Sequence, residues 1–209
     1  MDENIKGAVP KLKSHIKDTT DFIHKIESLE IPDNAILVTL DVVSLYTNIP
    51  NEEGIRSVAR SLVKNPPPLT TPRIVLEFLR EVLTKNNFEF DGKNYLQVGG
   101  TAMGTKLAPS YANIFMGDLE TKLLDNCPKK PYFWVHFIDD IFTIWTEGDQ
   151  ALSEFLDYLN KNHHSIKFTM ESSKEKVIFL DTQVRIGNDK KLEEELYSKP
   201  TDSHNYLPF

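Results

Sequence analysis

The sequence predicts an α+β domain in which helices back one face of an antiparallel sheet. Three observations lead there. The palindrome Phe137-Ile138-Asp139-Asp140-Ile141-Phe142, flanked by Trp134, Val135, Ile144 and Trp145, reads as two buried strands joined by an acidic turn. Ala35 to Val43 is a second apolar, strand-forming segment, and it too carries an Asp, Asp41, at its carboxyl end. Segments with apolar residues at helical spacing separate and follow these strands. The resulting order is strand, helices, glycine loop, helix, acidic hairpin, helix, strand, with no internal repeat.

Taken in chain order, residues 1–15 read as a poorly ordered N-terminal extension and residues 14–28, with Ile16, Phe22, Ile23 and Ile26, as a first helix. Ile31-Pro32-Asp33-Asn34 turns the chain into the Asp41 strand. Asn51 is placed to cap a helix running from Glu52 towards Lys64, with acids in its first turn where the helix dipole favours them. After the rigid Pro66-Pro67-Pro68, Thr71 and Pro72 open a further helix whose Ile74, Val75, Phe78, Leu79, Val82 and Leu83 form a stripe expected in the core. Phe88 to Gln97 alternates on both sides of Asp91-Gly92, a hairpin signature. Gly99 to Pro109, with three glycines, reads either as a loop that lets a ligand approach the backbone or as a plain connector. A helix with Tyr111, Ile114, Phe115, Leu119, Leu123 and Leu124 follows; beyond the acidic hairpin come a helix over 149–162 and strands over 166–170 and 177–181. His163 and His164 fall at that helix end, where exposed caps are expected rather than ligands.

The acids give this framework a chemistry. Two adjacent carboxylates beside a core repel each other and are costly to ionise without a partner, so a divalent cation is their natural neutraliser. Asp-Asp is also an ordinary turn dipeptide, and a third carboxylate decides between the readings. If the Asp41 strand lies beside the hairpin, Asp41, Asp139 and Asp140 meet at one sheet edge, where they can hold two Mg²⁺ ions about 3.5–4 Å apart, with Mn²⁺ as a substitute. Such a pair serves phosphoryl or nucleotidyl transfer.

Composition bounds the rest. With 209 residues, 40% of them hydrophobic, the chain can build one good core. No apolar run approaches the roughly 20 residues of a membrane span, so no membrane partner is expected. The start lacks a secretory pattern and Cys127 has no second cysteine to pair with, which points to an intracellular setting and an inert thiol. The net charge of −7 is unlike that of a protein gripping phosphate backbones and is explained if basic parts of a longer enzyme are missing.

From about Ile16 to Leu207 the motifs resemble the palm of reverse transcriptases, and most closely those of Penelope-like retroelements. Asp41-Val42-Val43-Ser44-Leu45-Tyr46-Thr47-Asn48-Ile49-Pro50 is similar to their motif A, Gly100 to Asn113 to motif B, and Phe137-Ile138-Asp139-Asp140 to motif C. Ser165 to Asp181 resembles the motif D region, and Tyr197 to Asp202 the primer-grip segment. The resemblance implies a polymerase palm over 16–209 with partial fingers elements and no thumb. Its implied activity is RNA-directed DNA synthesis by two-metal nucleotidyl transfer to a primer 3′-hydroxyl. The implied partners are an RNA template, a DNA primer and deoxynucleoside triphosphates, in the nucleus where chromosomal DNA is the primer; the oligomeric state stays open.

Roles follow residue by residue. Asp41 and Asp139 match the ligands of both metals, with the Val42 carbonyl as a further oxygen, while Asp140 is a secondary acid. Tyr46 matches the gate that excludes a ribose 2′-hydroxyl, and Gly104 and Pro109 the positions that shape the nucleotide pocket. Lys174, with Lys176 as its rival, is the candidate acid that protonates pyrophosphate, and Lys199 a contact to primer phosphate. Phe137 replaces a common Tyr, and Met103 a common Gln. A decayed or repurposed palm acting as a nucleic-acid-binding or structural module is the alternative, and an RNA-templated RNA polymerase the nearest rival enzyme; the aromatic gate speaks against the latter.

Overall fold

The computed structural model describes residues 2–197. Helix α1 (Asp2–Lys6) and a 3-10 turn over Val9–Lys11 open the chain, followed by α2 (Thr19–Ile26), β1 (Ile36–Val42), α3 (Leu45–Asn48), α4 (Asn51–Lys64) and α5 (Pro72–Thr84). Strands β2 (Asn87–Phe90) and β3 (Lys93–Leu96) form a hairpin, and α6 (Leu107–Asn126) is the long central helix. Then come β4 (Phe133–Phe137), β5 (Asp140–Trp145), α7 (Gly148–Lys161), β6 (Phe168–Ser173), β7 (Lys176–Phe179), β8 (Thr182–Ile186) and β9 (Leu192–Leu196).

The main sheet has the order β4-β5-β1-β6, with each neighbouring pair antiparallel. Alternation along β1 sorts its two faces. Ile36, Val38, Leu40 and Val42 join a core built with α4, α5, α6 and α7, whereas Leu37 joins Phe142 and Ile144 in a second cluster with Phe22 and Ile26 of α2. The second face also carries the small sheet β7-β8-β9 through Val177, Phe179, Val184 and Leu192. Helices therefore back one face as expected, and the other face is covered in part by α2 and a second sheet.

Several local expectations need correction. The opening segment is folded: Ile5, Ala8 and Val9 are buried in the helical core and Leu12 packs against it. Their i, i+3, i+4, i+7 spacing is an amphipathic signature that the polar start of the chain masks. Helix α2 begins only at Thr19, because the Asp18 side chain accepts the Asp21 N–H at 2.9 Å and fixes the N-terminus there. Helix α4 is entered from Pro50, with no side-chain cap from Asn51. On α5, Val75, Leu79 and Leu83 are buried, yet Ile74, Phe78 and Val82 stay 41%, 61% and 40% exposed, so half of the apolar stripe faces outward. The β2–β3 hairpin turns through Asp91 and Gly92 at φ 51° and 69°, the geometry an Asp-Gly turn favours.

Candidate active site

The three acids meet where the sheet register requires. Asp41 and Asp140 are direct partners across β1 and β5, which sets their Cβ atoms about 5 Å apart on one face. The hairpin closes with Phe137 opposite Asp140, leaving Ile138 and Asp139 as a two-residue turn. Val42 N–H donates to the Asp139 carbonyl at 3.1 Å and ties that turn to the end of β1. Ile138 adopts φ 57°, a left-handed conformation costing a β-branched residue roughly 1–3 kcal/mol. Ser44, two residues past the end of β1, sits at φ 50°.

Electrostatics at this edge are unfavourable without a cation. Burial pushes the Asp139 carboxyl above the usual carboxylate range and the charge of Asp41 adds to it, against a hydrogen bond from its own backbone N–H. A set of carboxylate oxygens that repel one another suits a hard divalent ion, and Asp41, Asp139 and Asp140 supply that donor type. A cleft of about 320 Å³ opens beside them, lined by Asp41, Asp140, Thr169, Glu171, Phe179 and Leu180 among others. Thr169 faces Asp41 across β1 and β6, and Glu171 is two residues further on the same face, a fourth acid that no motif singled out.

The motif A helix and the glycine loop are joined. Thr101 N–H donates to the Tyr46 carbonyl at 2.7 Å, and Gly100 at φ 71° lies so close that an added Cβ would stand 2.5 Å from that oxygen and 2.6 Å from Thr47 Cα. This close approach is what the glycine permits. Tyr46 is half-buried, and burial followed by the charge of Asp139 raises its hydroxyl pKa, so its ring stands within electrostatic reach of the acid turn. Gly104, at φ 87°, is exposed on the loop, and Pro109 is exposed in the first turn of α6. At Gly100 and Thr101 the segment is therefore more than a plain connector, but what approaches its backbone closely is the chain's own Tyr46 and Thr47.

The expected proton donor lies away from the acids. Lys174 follows Ser173, which pairs with Leu37, four residues from Asp41 along β1 and hence about 13 Å away. It lies in the bend past the far end of β6, its ammonium is 2.8 Å from Asp149 Oδ2 at the start of α7, and Lys176 begins β7 at that same far end. Lys199 lies outside the described residues. His163 is buried rather than an exposed cap: its Nδ1 accepts the Ile166 N–H at 3.0 Å, which leaves the proton on Nε2 to be donated to Glu53 at 3.0 Å. That tautomer gives His163 no lone pair for a metal, although Glu53, His163 and His164 are clustered.

The fold has solved counterparts. Telomerase from Candida albicans, in complex with a TWJ fragment of telomeric RNA, superposes with a TM-score of 0.72 at 13% identity over 98% of this chain and 39% of that one. Apo telomerase from Candida Tropicalis, truncated from its C-terminal domain, gives 0.65 at 13% identity over 91% and 44%. The BmCPV RNA-dependent RNA polymerase at elongation state gives 0.57 at 14% identity over 81% and 17%. The chain thus spans less than half the length of each. No curated protein matches it. A family model described as reverse transcriptase (RNA-dependent DNA polymerase) matches residues 4–207, and with nearly the whole sequence inside that match, the chain belongs to the reverse transcriptase family.

Proposed function

We propose that this chain is the catalytic palm of an RNA-directed DNA polymerase from a Penelope-like retroelement, extending a DNA primer on an RNA template. The observation that carries the reading is the pairing of Asp41 with Asp140 beside the Asp139 turn, at a sheet edge that opens on a cleft, with Tyr46 within electrostatic reach of Asp139. In this reading Asp41 and Asp139, with the Val42 carbonyl and with Asp140 in support, would hold two Mg²⁺ ions, whose charge would stabilise the triphosphate and make the primer hydroxyl easier to deprotonate. The new bond joins the primer 3′-oxygen to the α-phosphorus, the hydroxyl proton passes to water, the bond from the α-phosphorus to the bridging oxygen breaks, and pyrophosphate leaves. Tyr46 packs where the nucleotide sugar sits and excludes a 2′-hydroxyl. The docked Gly100-Thr101 segment holds the Tyr46 backbone, so the ring is positioned before substrate arrives.

Two measurements test this. Mn²⁺ binding to the chain, followed by water-proton relaxation, should reveal saturable sites that Asp139→Ala removes. Primer extension on an RNA template with Mg²⁺ should then incorporate deoxynucleotides with wild type and fall at least about a hundredfold with Asp139→Ala, as expected for several kcal/mol of lost stabilisation. Mn²⁺ binding that is absent, or unchanged in the variant, overturns the reading.

A further inference from the structure

A buried polar cluster lies outside the acids and three residues before them. His136 on β4 is fully buried, and both of its ring nitrogens are held from α6: Nδ1 lies 2.8 Å from Glu120 Oε2 and Nε2 3.2 Å from Asn113 Oδ1. Asn113 donates through Nδ2 to the Pro109 carbonyl at 2.8 Å, which fixes its oxygen towards the histidine. Glu120, also buried, accepts from Trp134 Nε1 at 2.9 Å and from Ser14 Oγ at 2.5 Å. The backbone of His136 is used as well. Its N–H donates to the Ser14 carbonyl at 2.7 Å and its carbonyl accepts from Ile16 N–H at 2.9 Å, so residues 14–16 cover the open edge of β4.

A single residue is thus gripped by the N-terminal segment, by the strand β5 across from it, and by two side chains of the helix that follows the glycine loop. The next turn of chain holds Ile138 at its strained φ and presents Asp139. Strain of this kind survives only where the surroundings over-determine the backbone. On the β5 side the turn is held by the Asp41–Asp140 pairing, and on the β4 side by this cluster.

We infer that His136, with Glu120 and Asn113, is a positioning residue for the metal-binding turn: it fixes β4 against α6 so that Ile138 keeps its left-handed conformation and Asp139 its aim. The same cluster links the acid turn to Pro109 at the start of α6, so the turn and the glycine loop are set by one group of hydrogen bonds. The inference rests on the metal-binding reading of the three acids.

The test compares His136→Phe, which keeps a ring and removes both side-chain hydrogen bonds, with Val135→Ala, which loosens the neighbouring buried position on the same strand without touching the cluster. Mn²⁺ affinity by water-proton relaxation and thermal midpoint are read on each. His136→Phe should weaken Mn²⁺ binding about tenfold, the scale of losing an outer-sphere support, while Val135→Ala lowers the midpoint and keeps affinity within about twofold. Wild-type affinity in His136→Phe overturns the inference, as does an equal loss in Val135→Ala, which would make the effect one of general loosening. If His136→Phe does not fold, Asn113→Ala is judged by the same pair of readouts, with unchanged affinity overturning the inference. Failure of wild type itself to bind Mn²⁺ removes the metal-binding reading instead, so the two failures are distinct.

Discussion

Asp41 and Asp140 face each other as cross-strand partners at the last paired position of β1 and β5, with Asp139 in the turn between β4 and β5. Their register is held by the strands behind them, where Ile36, Val38 and Leu40 alternate into the helical core opposite Trp145, Thr143 and Ile141. A slip of one residue would bury Asp41 among those helices and expose the core set, which explains how apolar alternation far from the acids aligns them.

Asp139→Asn is expected to stabilise the metal-free protein while abolishing Mn²⁺ binding. The folded-state carboxyl titrates above its unfolded value because of burial and the neighbouring Asp41 charge. Ionisation is thus harder in the folded chain than in the unfolded one, and stability is lost as pH rises through the folded pKa. The neutral amide escapes that loss. Urea unfolding at pH 7 without metal should give a higher midpoint for the variant, and a lower one would contradict the electrostatic account.

Gly100→Ala should free the glycine loop from Tyr46. The new methyl would meet the Tyr46 carbonyl at 2.5 Å, and the positive φ adds strain, a combined cost of about 1–3 kcal/mol. Amide exchange at Thr101, whose N–H is protected by the Tyr46 carbonyl, should speed up by roughly the corresponding ten- to hundredfold. Gly104→Ala meets no atom within 4 Å and carries only the φ strain, so Thr101 exchange there should stay near wild type.

The sheet edge was legible in the sequence because short buried strands that end in Asp leave little choice of pairing, and Asp41 does pair with Asp140 beside the turn that carries Asp139. The Thr71–Pro72 helix start and the Asp91-Gly92 turn were legible for the same local reason, chemistry that specifies one backbone geometry. What escaped depends on distant partners. Ile138 shows no sign of its strained φ, and His136 reads as one more strand residue until Glu120 and Asn113, 16 and 23 residues away, are seen around it. Lys174 was placed by its resemblance to a motif, which does not say past which end of β6 a residue falls.

Lys174→Ala should leave primer extension within about twofold of wild type and affect stability little, since an exposed ion pair such as Lys174–Asp149 contributes at most about 1 kcal/mol. Single-turnover incorporation across pH is the measurement. Loss of an alkaline limb in the variant would return the proton-donor role to this lysine despite its distance from the acids.

Asp118 offers a probe of the helical layer that is independent of the acids. Burial alone would raise its pKa, but hydrogen bonds from Arg60, Lys122 and Ser57 outweigh burial and hold it at about 2. The Arg60 contact is two-pronged, with Nε at 2.8 Å and a terminal nitrogen at 2.6 Å, and it joins α4 to α6 under the glycine loop's helix. A folded pKa below the unfolded value of about 3.9 means that the stabilisation is fully present above pH 4 and is lost as pH falls towards 2. Asp118→Asn should therefore lower unfolding free energy at pH 7 by about 2 kcal/mol, and the gap between variant and wild type should close between pH 4 and pH 2. A gap that persists unchanged at pH 2 would mean that Asp118 acts through packing and neutral hydrogen bonds, and that the charge it shares with Arg60 and Lys122 contributes nothing to the joint between these helices.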